Sequence, residues 1–136
     1  MEGGRMELRV QTDTGEYDLE ASVRLIGQDV LVAIWGGERP HIGAVAAAQP
    51  RPSLKDPGVT SATASVFCYV GHKEDDLAKA ASEILAAALN TQVVVTAGIH
   101  WDDLSPEGIQ KVIQNSERLV ERIIEKIPDL SGTRNV

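Results

Sequence analysis

The sequence predicts an α+β fold: a mostly antiparallel β-sheet with two α-helices packed on one face, in the order ββββ-β-α-β-α. Three observations carry that expectation. Up to about residue 70, apolar residues recur at alternate positions or in short continuous runs broken by turn residues. Beyond that point two segments carry a helical period, with a short valine run between them. The strands also precede the helices instead of alternating with them, as in segregated layers and unlike a doubly wound parallel sheet.

The elements follow in order. "RMELRVQT" (5–12) alternates and ends at the turn "DTGE". In "YDLEASVRLIG", Tyr17, Leu19, Ala21, Val23 and Leu25 share one face, with Asp18, Glu20, Ser22 and Arg24 opposite. That is a strand wet on one side. "VLVAIWG" and "IGAVAAA" read as nearly continuous apolar strands, and "VTSATASVFCYV" as a fifth, β-rich one. Between the last two, "QPRPSLKDPG" holds three prolines and a glycine and is expected to be loop throughout.

The first helix is expected in "HKEDDLAKAASEILAAALN", where Leu77, Ala80, Ala81, Ile84, Leu85, Ala88 and Leu89 mark its apolar face. Asn90 stops it. "TQVVVTAG" is a short buried strand. The second helix opens with Ser105 as cap and Pro106 at its first position. Ile109, Val112, Ile113, Val120, Ile123, Ile124 and Ile127 form its apolar face up to Pro128. The central strands are apolar on both sides while only one face has helices, so a second subunit is expected on the other: a homodimer.

With 136 residues, 43% of them hydrophobic, the chain reads as a single domain over 1–136, its core at about 5–127 and a loose tail at 129–136. Aromatic residues make up only 4% of the chain, so small and β-branched side chains must build the core. A net charge of -7 argues against nucleic acid or an anionic membrane as partner. A small anionic ligand stays compatible with it, because local cations and N–H groups decide that. The single cysteine, Cys68, fits a reducing compartment. Without a signal pattern or a spanning apolar run, a cytoplasmic location is expected.

All three histidines, His41, His72 and His100, lie in glycine-containing junctions at the ends of apolar segments: "GGERPHIGAV", "GHKEDD" and "GIHWDD". Singly, each reads as a polar residue at a sheet end or helix entry. Jointly, they can lie on one edge of the sheet as a common ligand site. Glycines there allow close backbone approach, and the helix start after Gly71 presents N–H groups to an anion, with Arg39 and Lys73 nearby. A three-histidine Zn²⁺ centre with Asp102 or Asp103 behind it is conceivable, but the ligands lack chelate spacing, so no resident metal is expected. No phosphate-binding glycine motif or nucleophile arrangement is present, and no catalytic residue is expected.

The set "GGERPHIGAV", "GHKED", "VVVTAGIHWDD" and Asn115, spanning about residues 16–127, resembles the LpdD-like family. These are small proteins encoded with decarboxylases that use prenylated flavin mononucleotide (FMN), and in fold they resemble the dimeric chaperones of proteasome assembly. The resemblance implies a cofactor chaperone. It would take reduced prenylated FMN from a flavin prenyltransferase and deliver it to a UbiD-type apo-decarboxylase, with FMN itself as a second flavin it could bind. On the matching motifs, the backbone around Gly36, Gly37 and Gly71 with Arg39 or Lys73 would hold the phosphate. Trp35, Ile42 and Trp101 would cover the ring, His41, His72 and His100 would meet its polar edge, and Pro40 and Asp102 complete the set. Two other roles stay open: a non-catalytic accessory subunit of such a decarboxylase, and a small metal-dependent enzyme. The Ala44–Ala48 run offers little bulk for a pocket wall, which favours a site completed between subunits.

Overall fold

The computed structural model describes residues 6–71 and 74–130. Six strands and two helices occur in the expected order: β1 (Glu7–Gln11), β2 (Leu19–Ile26), β3 (Asp29–Gly37), β4 (Ala44–Pro52), β5 (Thr60–Cys68), α1 (Asp75–Leu89), β6 (Val93–His100) and α2 (Pro106–Lys126). One sheet holds all the strands, ordered β1-β2-β3-β6-β4-β5. Every neighbouring pair is antiparallel except β3 and β6, which run parallel. The last strand made is therefore inserted between two earlier ones.

Strand alternation builds the core. Ala21, Val23 and Leu25 of β2 stand opposite Ile34, Val32 and Val30 of β3. These in turn stand beside Ala97, Val95 and Val93 of β6, and then Ala44, Ala46 and Ala48 of β4. All of them are buried. Both helices cover this face, α1 over β4, β5 and β6, and α2 over β1 and β2. α1 turns Ala78, Ala81, Ser82 and Ala86 inward. The alanines of β4 thus serve close helix–sheet packing and not a pocket wall.

Four sequence expectations need correction. The buried stripe of α1 is Ala78, Ala81, Ser82, Leu85 and Ala86; Ala80, Ile84 and Ala88 are exposed. α2 buries Asn115, Ser116, Leu119, Val120 and Ile123 but leaves Ile109 and Ile113 exposed. Gln49–Pro52 belongs to β4 and not to a loop, because beyond Ala48 the strand has β5 alone as neighbour and such a border tolerates proline. Asp129 and Leu130, expected in a loose tail, form with Ile127 and Pro128 a short 3₁₀ turn whose Leu130 is buried; the rest of that tail lies outside the described residues.

Among the described residues no helix covers the other sheet face. Its β1–β2 half is polar, with Arg9 bonded to Glu20 across the strands at 3.2 Å and Arg24 paired with Glu7. Its other half is apolar: Leu31, Ala33, Trp35, Val94, Val45 and Ala47, ending at Phe67, which is 61% exposed.

Candidate functional site at the end of the sixth strand

At residue 37 the chain leaves β3, and the loop 38–43 crosses the end of β6 before entering β4. Two glycines make that crossing possible. A Cβ on Gly98 would lie 1.5 Å from the His41 carbonyl oxygen, and one on Gly37, at φ +92°, would lie 2.0 Å from that of His100. No side chain fits at either place. The Glu38 N–H donates to the His100 carbonyl at 2.7 Å, and the Gly43 N–H to that of Ala97 at 2.9 Å.

The crossing brings His41 under the start of α1. Its Nδ1 lies 2.9 Å from the Arg39 carbonyl oxygen, so this nitrogen carries the proton and donates it. Its Nε2 lies 2.7 Å from the Glu74 carboxylate. Glu74 occupies the N-cap of α1 but makes no cap bond with its side chain. Instead the carboxylate accepts the Ile99 N–H at 3.0 Å, a backbone donor that β4 no longer pairs. The pair latches helix, loop and strand together.

His100 is held differently. Its Nε2 lies 2.8 Å from Asp102 Oδ1, which also accepts Arg39 Nη2 at 2.7 Å. The His100 bond above all, with the Arg39 charge and bond added to it, outweighs the upward push of desolvation and holds the Asp102 carboxyl below the usual carboxylate range. An ionised carboxylate needs a donor, so Nε2 bears the proton and Nδ1 of neutral His100 is an acceptor.

His41, Glu74 and His100 line a groove of about 530 Å³ between the starts of α1 and α2. Gly71 joins them, and Leu77, Ile99, Leu104, Ile109 and Val112 are its apolar wall residues. A concave, mainly apolar site with a few convergent polar groups is the usual form of a small-molecule site.

On the far side of α2 lies a support. Buried Asn115 donates through Nδ2 to the carbonyls of Tyr17 at 2.8 Å and Glu16 at 3.0 Å. Tyr17, left-handed at φ 54° and not in strand as expected, meets Trp101 edge-on at 5.2 Å between ring centroids.

The family profile described as the prenylated flavin chaperone LpdD-like domain matches residues 13–128. The chain belongs to this LpdD-like family. Protein LpdD of Lactiplantibacillus plantarum is 25% identical over 122 residues, which cover 83% of this chain and 79% of that protein. Among solved structures, a chain in the crystal structure of a novel chaperone complex for yeast 20S proteasome assembly superposes with a TM-score of 0.56. The match covers 93% of this chain and 99% of that one at 10% identity, and so bears on the fold alone.

In this LpdD-like chain the three histidine junctions are partly brought together. His41, Gly71 and His100 line the groove, Arg39 and Asp102 join His100, and Gly37 shapes the crossing. His72 and Lys73 lie outside the described residues. Trp35 is on the helix-free sheet face, with the Arg9 guanidinium 5.0 Å from its ring centre. Gly36 packs against Leu19, Trp101 against Tyr17, and Pro40 and Ile42 are exposed beside the crossing. Glu74 and the five wall residues were not among the candidates. The acidic run after Gly71 marked Glu74 only as a helix-start charge, and Ile109 and Val112 looked like core.

The start of α1 fits an anion poorly, since Glu74, Asp75 and Asp76 crowd it. Arg39 spends one Nη on Asp102 and keeps further N–H donors for a phosphate. Among the described residues no three His, Cys, Asp or Glu side chains are placed to hold a metal ion. His41 and His100 each face a carboxylate of their own. Nor is any described helix long and apolar enough to cross a membrane.

Proposed function

We propose that the chain is a non-catalytic cofactor chaperone that binds reduced prenylated FMN and delivers it to a UbiD-type apo-decarboxylase. The single observation behind this reading is the groove itself, whose lining joins apolar side chains for a ring system to a few hydrogen-bonding groups. The reduced flavin ring carries N–H groups, and His100 Nδ1 is an acceptor for one of them. The phosphate would lie on Arg39. Excluding water slows oxidation of the ring, while a half-open groove allows release.

A flavin prenyltransferase is the supplier on this reading, the cytoplasm the place of work, and a homodimer the working form. A single cysteine, Cys68, suits that compartment, and the apolar half of the sheet face away from the helices suits a second copy. The test is anaerobic titration of the purified protein with reduced prenylated FMN and with reduced FMN. Saturable binding of the prenylated form, followed by activation of an apo-decarboxylase on mixing, is the expected result. No binding of either flavin at millimolar concentration would sink the reading.

A further inference from the structure

The helices carry apolar residues that the core does not take: Ile84 of α1 and Ile109 and Ile113 of α2 are 49%, 47% and 45% exposed. Amphipathic spacing would place all three in the core. Of these, Ile109 lines the groove, where Leu77 and Val112 join it beside His41 and His100. The groove therefore offers hydrocarbon surface from both helices as well as polar groups.

Resting on the cargo reading above, we propose that this hydrocarbon surface is the specificity element: Leu77, Ile109 and Val112 take the hydrocarbon part that distinguishes a prenylated flavin from FMN. The family description names a prenylated flavin, and prenylation adds a branched five-carbon unit with no polar atom. A polar lining would gain nothing from it. An apolar wall does, since even a single methylene in a hydrophobic pocket discriminates by roughly 10- to 200-fold. Because this wall is half open to water, the lower end of that range applies. The ring's polar edge then faces His100, and the phosphate points outward past Arg39.

Affinities of reduced prenylated FMN and reduced FMN, measured anaerobically by calorimetry on the same protein, test this. Wild type is expected to prefer the prenylated form by roughly tenfold or more. Ile109→Ser should collapse that ratio toward one, chiefly by weakening the prenylated form. Ile109 is half exposed, so the fold should hold; a melting temperature within a few degrees of wild type checks that. Ile109→Trp, which fills that part of the groove, should also collapse the ratio, and serves as the second variant if the serine variant is unstable. Equal affinity of wild type for the two flavins, or an unchanged ratio in both variants, overturns the specificity element and leaves the carrier reading standing. No binding of either flavin overturns both.

Discussion

His41 and His100 sit in one groove and are held by different partners, so their replacements should part ways. Among the described residues the His100 ring bonds to Asp102. His100→Ala should leave melting unchanged and weaken flavin binding by roughly two- to tenfold, the value of one neutral hydrogen bond. His41 joins the loop carbonyl to Glu74. His41→Ala should weaken binding and lower the melting temperature together. Measuring melting and affinity on both proteins separates the two roles; a His100 variant with unchanged affinity would remove that residue from the site.

Asp18 gives a pH prediction. Burial pushes its carboxyl up, but the Thr14 N–H and hydroxyl, the Gly15 N–H and the Thr12 hydroxyl together outweigh this and hold it below the ordinary value. A depressed folded value means the contribution is present above the unfolded value, near pH 4, and is lost as pH falls through the folded one. Urea midpoints should thus drop more steeply from about pH 5 to pH 2 in wild type than in Asp18→Asn. Parallel curves would show that the turn contributes nothing through this charge.

Among the elements, α2 announces its start and hides its orientation. Ser105 accepts the Gly108 N–H at 3.0 Å with Pro106 following, as the residue types alone require. Ser105→Ala should destabilise by about 1 kcal/mol in urea unfolding. Its buried face was legible at Val120, Ile123 and Ile127 but not nearer the start, because the stripe at Ile109 and Ile113 is equally apolar. Asn115, which the family motif singles out, shows why the inward stripe is partly polar: it closes the carbonyls of the β1–β2 loop. Asn115→Ala takes the donor from the Tyr17 carbonyl, while the Thr14 hydroxyl still reaches that of Glu16, and should cost about 1 kcal/mol, again read from urea unfolding. Strand β2 was legible from Leu19 onward, since Leu19, Ala21, Val23 and Leu25 alternate against polar neighbours.

For the whole molecule, the class, order and one-sided helices could be read from the chain. The pairing could not. Local alternation says nothing about which strand lies beside which, so the parallel contact of β3 with β6 left no trace in it. The site was half legible for the same reason. Glycine-flanked junctions flagged His41 and His100, but the apolar wall comes from helices whose approach only the packed fold determines. The uncovered sheet face carries the remaining prediction. Sedimentation at micromolar concentration should show a dimer for wild type and a monomer for a Val45→Glu, Phe67→Glu double variant with unchanged circular dichroism. A monomeric wild type would dismiss the second copy.

The position of β6 also dictates when the protein can fold during synthesis. β1, β2 and β3 form one unit and β4 with β5 another, and only β6 hydrogen-bonds to both. Until residues 93–100 leave the ribosome, β3 and β4 each have an unpaired edge able to recruit other chains. A nascent chain halted within α1 therefore has a three-stranded piece and a hairpin that nothing yet joins, and the groove is among the last things the growing polypeptide acquires.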